Sequence, residues 1–310
     1  MCRCSCTFES LVVHIVLVDA SRTTLRILEA TIKDLGYGEA QCFQSAVSAW
    51  AHILKSDRVD LVVTGLEFPG NVSGLELCWN LRSHERSKMA HVLVLTSRDD
   101  TDTYIEALDS GADDFIVKPL RREILWAKLR AASRLLRMQD DLNHLANHDP
   151  LTGVYNRRAF SVAAELAINH ADEEAQPLSM LLLDIDHFKS INDNYGHDVG
   201  DQAIRALAAT VRAVAPKNAV IGRLGGEEFA VLLPDTTLVQ GECIAEGVRA
   251  SIEKIRLQVP NGDRGFTASI GVSNLTPTDS VATLLKRADD ALYAAKNDGR
   301  NCVKSAAVAA

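Results

Sequence analysis

Between residues 14 and 119 the chain alternates between short apolar runs and stretches of helical period. The apolar runs fall at 14–18, 59–64, 92–96 and 115–117, with a weaker one at 40–43, and they are too short for helices. Amphipathic stretches separate them at 23–35, 46–54, 75–83 and 102–110, the first and last closed by Gly36 and Gly111. A helix between consecutive strands is the connection that parallel pairing requires, whereas antiparallel strands need only a tight turn. The order predicts an α/β doubly wound, five-stranded parallel sheet with helices on both faces. Ligands of such sheets gather at the carboxyl ends of the strands.

With 310 residues there is room for about two domains, and 47% hydrophobic with 24% charged residues is ordinary globular composition. The net charge of -8 argues against broad nucleic-acid binding, which needs a basic face. An anionic ligand then requires local Lys and Arg or a metal. No apolar run approaches the roughly 20 residues of a membrane span. Glu9 and His14 interrupt any signal-peptide core, so the expected location is cytoplasmic. Of seven cysteines, Cys42, Cys78, Cys243 and Cys302 sit on apolar patterns and read as reduced core thiols. Cys2, Cys4 and Cys6 alternate, which is not zinc-knuckle spacing, and residues 1–13 read as a tail.

The strand ends of the first half resemble the response-regulator receiver family. Asp19 ends the first predicted strand, Thr96-Ser97 the fourth and Lys118-Pro119 the fifth. The departures are informative. Receivers carry an acidic pair after the first strand, and here the second member is Ala20. The phosphoacceptor position, before a Pro69-Gly70 turn, is Gly65, which has no nucleophile. Ala20 and Gly65 also remove two carboxylates from the family's magnesium site. The resemblance therefore implies a pseudo-receiver: an interaction or dimerisation module whose input is a protein partner or another signal, not phosphate.

Residues 121–147 contain no Gly or Pro. Ile124, Ala131, Leu135, Met138, Leu142 and Leu145 follow three-four spacing, with Lys128 in the one polar slot, which makes a seam of about three heptads. The first part reads as the last receiver helix packing on its own sheet. Beyond residue 129 the stripe reads as a parallel coil joining two subunits.

The second half opens on Asp149-Pro150-Leu151-Thr152, a helix-breaking turn. A buried strand at 178–183 ends in Asp184-Ile185-Asp186, and a carboxylate there is costly unless paired or metal-bound. Apolar runs flank Gly225-Gly226, which predicts a hairpin turning at those glycines, with Glu227 and Glu228 directly after it. The element order predicts an α+β domain: a palm-like antiparallel sheet with helices on one face. Asp184 and Glu227 can converge there as a magnesium site able to bridge a triphosphate.

Here the chain resembles the GGDEF domain of diguanylate cyclases, with Gly225-Gly226-Glu227-Glu228-Phe229 as the signature variant. Asp149–Thr152 with Asn156-Arg157-Arg158, Asp184-Ile185-Asp186, Asn192-Asp193, 196–201 and 295–301 are the further matching motifs. The resemblance implies condensation of two GTP to cyclic di-GMP with release of pyrophosphate. It implies two Mg2+ per site, with Mn2+ as a substitute, on Asp184, the Ile185 carbonyl, Glu227 and Glu228. Glu227 is also the implied proton acceptor and Lys189 the group offsetting phosphoryl charge. Lys296 and Arg300 would hold the terminal phosphates, Phe188 would line the pocket, and Asn192 and Asp201 would read guanine. One site holds one GTP, so the resemblance implies a homodimer assembled through linker helix and receiver.

The family's product-inhibition motif, Arg-x-x-Asp before the hairpin, is replaced here by Pro216-Lys217-Asn218-Ala219. Weak or absent product inhibition is therefore expected. The alternative to an active cyclase is a catalytically silent module that binds GTP or cyclic di-GMP and signals through protein contacts. The expected layout is a tail (1–13), pseudo-receiver (14–121), linker helix (122–147), GGDEF domain (148–305) and tail (306–310).

Overall fold

The computed structural model describes residues 13–306 apart from 38, 69–72, 260–261 and 278. Cys2, Cys4 and Cys6, the Pro69-Gly70 turn and the end of the C-terminal tail lie outside the described residues. The chain separates into two compact units, Met1–Leu142 and Asn143–Ala310.

The first unit runs β1 (Ile15–Val18), α1 (Arg22–Asp34), β2 (Ala40–Phe43), α2 (Ala46–Ile53), β3 (Leu61–Gly65), α3 (Gly74–Ser83), β4 (His91–Thr96), α4 (Thr101–Asp109), β5 (Asp114–Val117), and α5 (Arg122–Asn147), which continues into the second unit. The strands form a parallel sheet in the order β2-β1-β3-β4-β5. Side chains of Ser21, Ser45, Ser73 and Asp100 accept from backbone N–H groups in the first turns of α1 to α4 and so fix where each helix starts. Leu28 and Ile32 of α1 and Leu125 and Leu129 of α5 pack on one sheet face; Ile53, Leu77 and Leu81 pack on the other.

The apolar residues of α5 fall on two different faces. Leu125, Leu129, Ala132 and Leu136 are buried against the receiver sheet, so this packing reaches past residue 129, where the heptad reading ended it. Arg58 extends the attachment by bridging Asp60 and Asp140. The heptad stripe is a separate face and stands exposed, from 40% at Ile124 to 56% at Leu135 and 71% at Leu145.

The second unit runs β6 (Tyr155–Asn156), α6 (Arg157–Glu173), β7 (Leu178–Ile185), α7 (Phe188–Tyr195), α8 (His197–Val214), β8 (Val220–Gly225), β9 (Glu228–Pro234), α9 (Leu238–Glu253), β10 (Arg256–Val259), β11 (Gly262–Gly265), β12 (Ala268–Asn274), α10 (Val281–Asn297) and β13 (Val303–Ser305). Its six-stranded sheet has the order β13-β12-β7-β9-β8-β6; the inner pairs are antiparallel and the two outermost parallel. Helices cover both faces, not one. Residues of α8 and α9 pack with Leu181 and Leu183, while α6 and α10 pack with Met180 and Leu182. The central strand β7 is buried at every position, which alternate burial against a single helix layer would not produce.

Two of the four cysteines read as core thiols are on the surface: Cys42 and Cys243 are exposed, Cys302 is half-buried and Cys78 is buried. No helix among the described residues is long and apolar enough to cross a membrane.

Candidate active site

The carboxylates meet at the end of the central strand. Asp184 of β7 stands directly opposite Glu228 of β9, and directly opposed residues of antiparallel strands point to one face. The hairpin turn is Gly226-Glu227, one residue later than the glycine pair suggested. Gly225 is still in β8, paired with Glu228 after a register shift from Arg223, and Gly226 takes the left-handed turn conformation at φ 48°. That shift puts Glu227 at the tip and turns Glu228 onto the ladder facing Asp184.

Asp184 is only 7% exposed, and Lys296 Nζ lies 2.9 Å from its Oδ2. Burial pushes the Asp184 carboxyl above its usual range; Lys296 pulls it back, and Glu227 and Glu228 push it up again. Among the described residues no three His, Cys, Asp or Glu side chains form a ready metal cluster. The donors that do gather, Asp184, Glu228, neighbouring Glu227 and the Ile185 carbonyl, are all hard oxygens. With Lys296 the one cation on Asp184 among the described residues, this surplus negative charge fits a divalent ion such as Mg2+.

The residues expected to hold the nucleotide lie on α7 and α8. Phe188, Lys189 and Asn192 belong to α7, and Asp201 lies in the second turn of α8. The Asn192 Oδ1 is buried without a hydrogen-bond partner. It rests on Gly200, where an added Cβ would come within 2.0 Å of it and 3.2 Å of the Phe188 ring. A buried acceptor with no partner requires an explanation, and an arriving donor is one. Asp201 is half-exposed, 3.8 Å from Arg205. Lys189 is exposed, and Arg300 follows α10 in a left-handed conformation at φ 66°. Neither has a side-chain partner among the described residues. The structure thus gathers Asp184, Glu228 and Lys296 at one point and Phe188 with Asn192 at another.

The diguanylate cyclase GGDEF-domain family model matches residues 146–302, just over half of the 310-residue chain, and the response-regulator receiver model matches residues 15–130. The chain belongs to the GGDEF family. It is 36% identical over 267 residues to the response regulator PleD of Caulobacter vibrioides, covering 82% of this chain and 58% of that protein. It is 45% identical over 170 residues to the diguanylate cyclase DgcM of Escherichia coli, covering 55% of this chain and 41% of that one. The chain therefore spans only about half the length of these relatives. The solved coiled coil and GGDEF domain of DgcB from Caulobacter crescentus, in complex with c-di-GMP, matches at 32% identity and a TM-score of 0.55, covering 59% of this chain and 98% of that one.

Around this GGDEF site are residues to which sequence reasoning gave no role. Asp186, 5% exposed, accepts from Thr267 Oγ1 at 2.7 Å, Ser269 Oγ at 2.6 Å and the Asn301 backbone N–H at 3.0 Å. It fixes the chain just after Arg300. The alternating Thr267 and Ser269 were its only trace in the sequence. Arg223 is bound to Asp149 and donates to the Gly226 carbonyl, and Arg157 donates to the Leu224 carbonyl at 2.7 Å. These two arginines hold the GGDEF hairpin from its backbone side.

In the receiver unit Asp19 is buried, and Lys118 Nζ lies 2.7 Å from its Oδ2. A Cβ on Gly65 would come within 3.0 Å of that same oxygen. Thr96 is buried and accepts from the Arg98 N–H at 3.0 Å, while Ala20 is exposed. Lys118 and Asp19 pair with each other, and position 65 offers only backbone.

Proposed function

We propose that the chain is an active diguanylate cyclase. It joins two GTP molecules into cyclic di-GMP, the 3′-hydroxyl of each attacking the α-phosphorus of the other, with pyrophosphate leaving at each step. The observation that carries this reading is the buried Asp184 carboxylate facing Glu228, a concentration of negative charge that a bound cation would relieve. Asp184, the Ile185 carbonyl, Glu227 and Glu228 are the residues that would hold Mg2+ or Mn2+. When bound, the ions neutralise the triphosphate and lower the pKa of the attacking hydroxyl.

The chain's own side chains supply position and charge. Asn192 Oδ1 accepts from the guanine edge, with Asp201 as a second acceptor. Phe188 walls the pocket. Lys189, which has no side-chain partner among the described residues, offsets charge on the transferring phosphoryl group, and Arg300 with Lys296 takes the terminal phosphates. Glu227, at the tip of the turn, is the candidate proton acceptor. The exposed stripe of α5 pairs two copies, and the pseudo-receiver supplies further dimer contacts or receives a protein partner. The paired helices set the effective concentration of the two half-sites.

Purified protein given GTP and magnesium should form cyclic di-GMP, and Glu227→Ala and Glu228→Ala should abolish it while leaving the fold intact. Wild-type protein that stays inactive even when fused to a dimerising domain would instead make it a nucleotide-binding module.

A further inference from the structure

On the far side of α7 from the guanine residues lies a cleft of about 440 Å³. Its walls are α7 and the β10–β11 hairpin with the chain leading into β12, and its lining includes Ser190, Asn194, Tyr195, Arg256 and Arg264. None of these side chains has a part in the nucleotide site. Residues 188, 189 and 192 lie on one side of α7 and 190, 191 and 194 on the other, as about 3.6 residues per turn requires, while Tyr195 stands at the border beside Phe188.

The charged groups in this cleft are equal in number but do not form ion pairs with one another. Its two acids are already satisfied: Asp186 by three donors, and Glu253 by Arg249 and the Asn301 amide. Arg256 is close enough to Glu253 to help lower its carboxyl pKa, but among the described residues neither arginine forms an ion pair within contact distance. Arg256 Nη1 donates only to the backbone carbonyls of Glu253 and Ile255, and Arg264 has no side-chain partner among the described residues. Two guanidinium groups at the mouth of a concave site, with Tyr195, Asn194 and Ser190 on its wall, match a planar or tetrahedral anion carried on a ring. The volume is that of a mononucleotide-sized ligand.

We infer that this cleft is a second ligand site, for a small organic phosphate of mononucleotide size, and that its occupancy changes GTP affinity through α7. A ligand bridging Arg264 to the Ser190 and Asn194 side of the helix would fix the helix whose opposite side presents Phe188 and Asn192. The cleft is also walled by Asp186, which fixes Asn301 beside Arg300, so a ligand there touches two supports of the nucleotide site. The binding stands on its own; the coupling rests on the proposed reading of α7 as the GTP wall.

Adenosine 5′-monophosphate is a suitable probe, because a guanine-reading pocket disfavours adenine. Calorimetric titration of the full chain should give saturable binding, weakened about tenfold or more by Arg264→Gln, as loss of a charge-assisted guanidinium–phosphate pair requires. Arg256→Gln should weaken it similarly, Asn192→Ala should leave it unchanged, and inorganic phosphate should bind more weakly with the same dependence on Arg264. With magnesium and 3′-deoxy-GTP, which lacks the attacking hydroxyl, the nucleotide Kd should shift at least about threefold on adding the probe to wild type and not to Arg264→Gln. Absence of saturable binding up to about 10 mM overturns the inference. So does binding indifferent to both arginine changes, or an unmoved 3′-deoxy-GTP affinity. A chain that makes no cyclic di-GMP yet binds the probe through Arg264 separates failure of the cyclase reading from failure of this one.

Discussion

Arg223 reaches Asp149 across 74 residues of chain, with one guanidinium nitrogen 3.0 Å from each carboxylate oxygen, while its Nε donates to the Gly226 carbonyl at 2.8 Å. The same side chain thus fastens the start of the GGDEF domain and the turn that bears Glu227. Both partners are largely buried, so removing one leaves an uncompensated charge. Arg223→Ala should cost about 2–3 kcal/mol in denaturant unfolding and reduce kcat more than GTP binding. Lysine has a single donor centre and should restore less than half of the stability.

Asp149 also gives the domain a dependence on acid. Burial alone would raise its carboxyl pKa, but hydrogen bonds from Thr152 and Arg223 outweigh it and hold the group below the ordinary value of about 3.9. The stabilisation is complete above the unfolded pKa and disappears as pH falls through the folded one. Thermal unfolding between pH 7 and pH 3 should show stability dropping below about pH 4, and Asp149→Asn should be less stable at pH 7 with a flatter acid limb.

Gly200 keeps the Asn192 amide where it is. A methyl group there would meet Asn192 Oδ1 at 2.0 Å and must displace it. Gly200→Ala should raise the KM for GTP about tenfold or more with a smaller change in kcat, because a lost base contact weakens ground and transition states alike. An unaltered KM would mean that Asn192 does not read the base.

The receiver should be indifferent to phosphate. Acetyl phosphate or beryllofluoride should leave intact mass, oligomeric state and activity unchanged, since Gly65 has no nucleophile. Gly65→Asp places a second carboxylate beside Asp19 with only Lys118 to offset the pair. It should lower stability by about 1–2 kcal/mol, and magnesium should recover part of the loss.

Leu135 and Met138 are exposed on α5, so Leu135→Glu and Met138→Glu should change the stability of a single subunit by less than about 0.5 kcal/mol. Light scattering should nevertheless show dimers turning to monomers, with cyclase activity falling alongside.

The receiver unit was legible because its central strands are apolar runs and its helices have a polar face, so that period separates them; only the edge strand β2, with Gln41 and no buried residue, gave a weak signal. The second sheet was harder. Its strands were visible except β6, whose two residues read as part of a turn, but the one-sided helix layer expected for them conflicted with the apolar run of β7, whose even and odd residues both needed cover. The α7 helix escaped notice because eight residues hold only Phe188, Ile191 and Tyr195 as a stripe. The β10–β11 hairpin escaped because Gly262, Asp263, Arg264 and Gly265 carry no alternating pattern. In the site, Asp184 could be anticipated because motif and strand end coincide, with Glu227 expected to meet it; the ladder instead sets Glu228 directly opposite Asp184 and leaves Glu227 at the turn. Arg223 and Asp186 could not be anticipated, because their partners, Asp149 for the first and Thr267, Ser269 and the Asn301 N–H for the second, lie more than 70 residues away, and no spacing in the letters marks them.

Asp186 carries one more consequence. Its third donor is the backbone N–H of Asn301, just before the final strand β13, which pairs with β12 beside it. The chain's last described strand is thus a latch on the nucleotide site. Clipping it should loosen the Asn301 N–H from Asp186, which keeps the Thr267 and Ser269 hydroxyls, and so free the segment bearing Arg300, the residue proposed to hold the terminal phosphates.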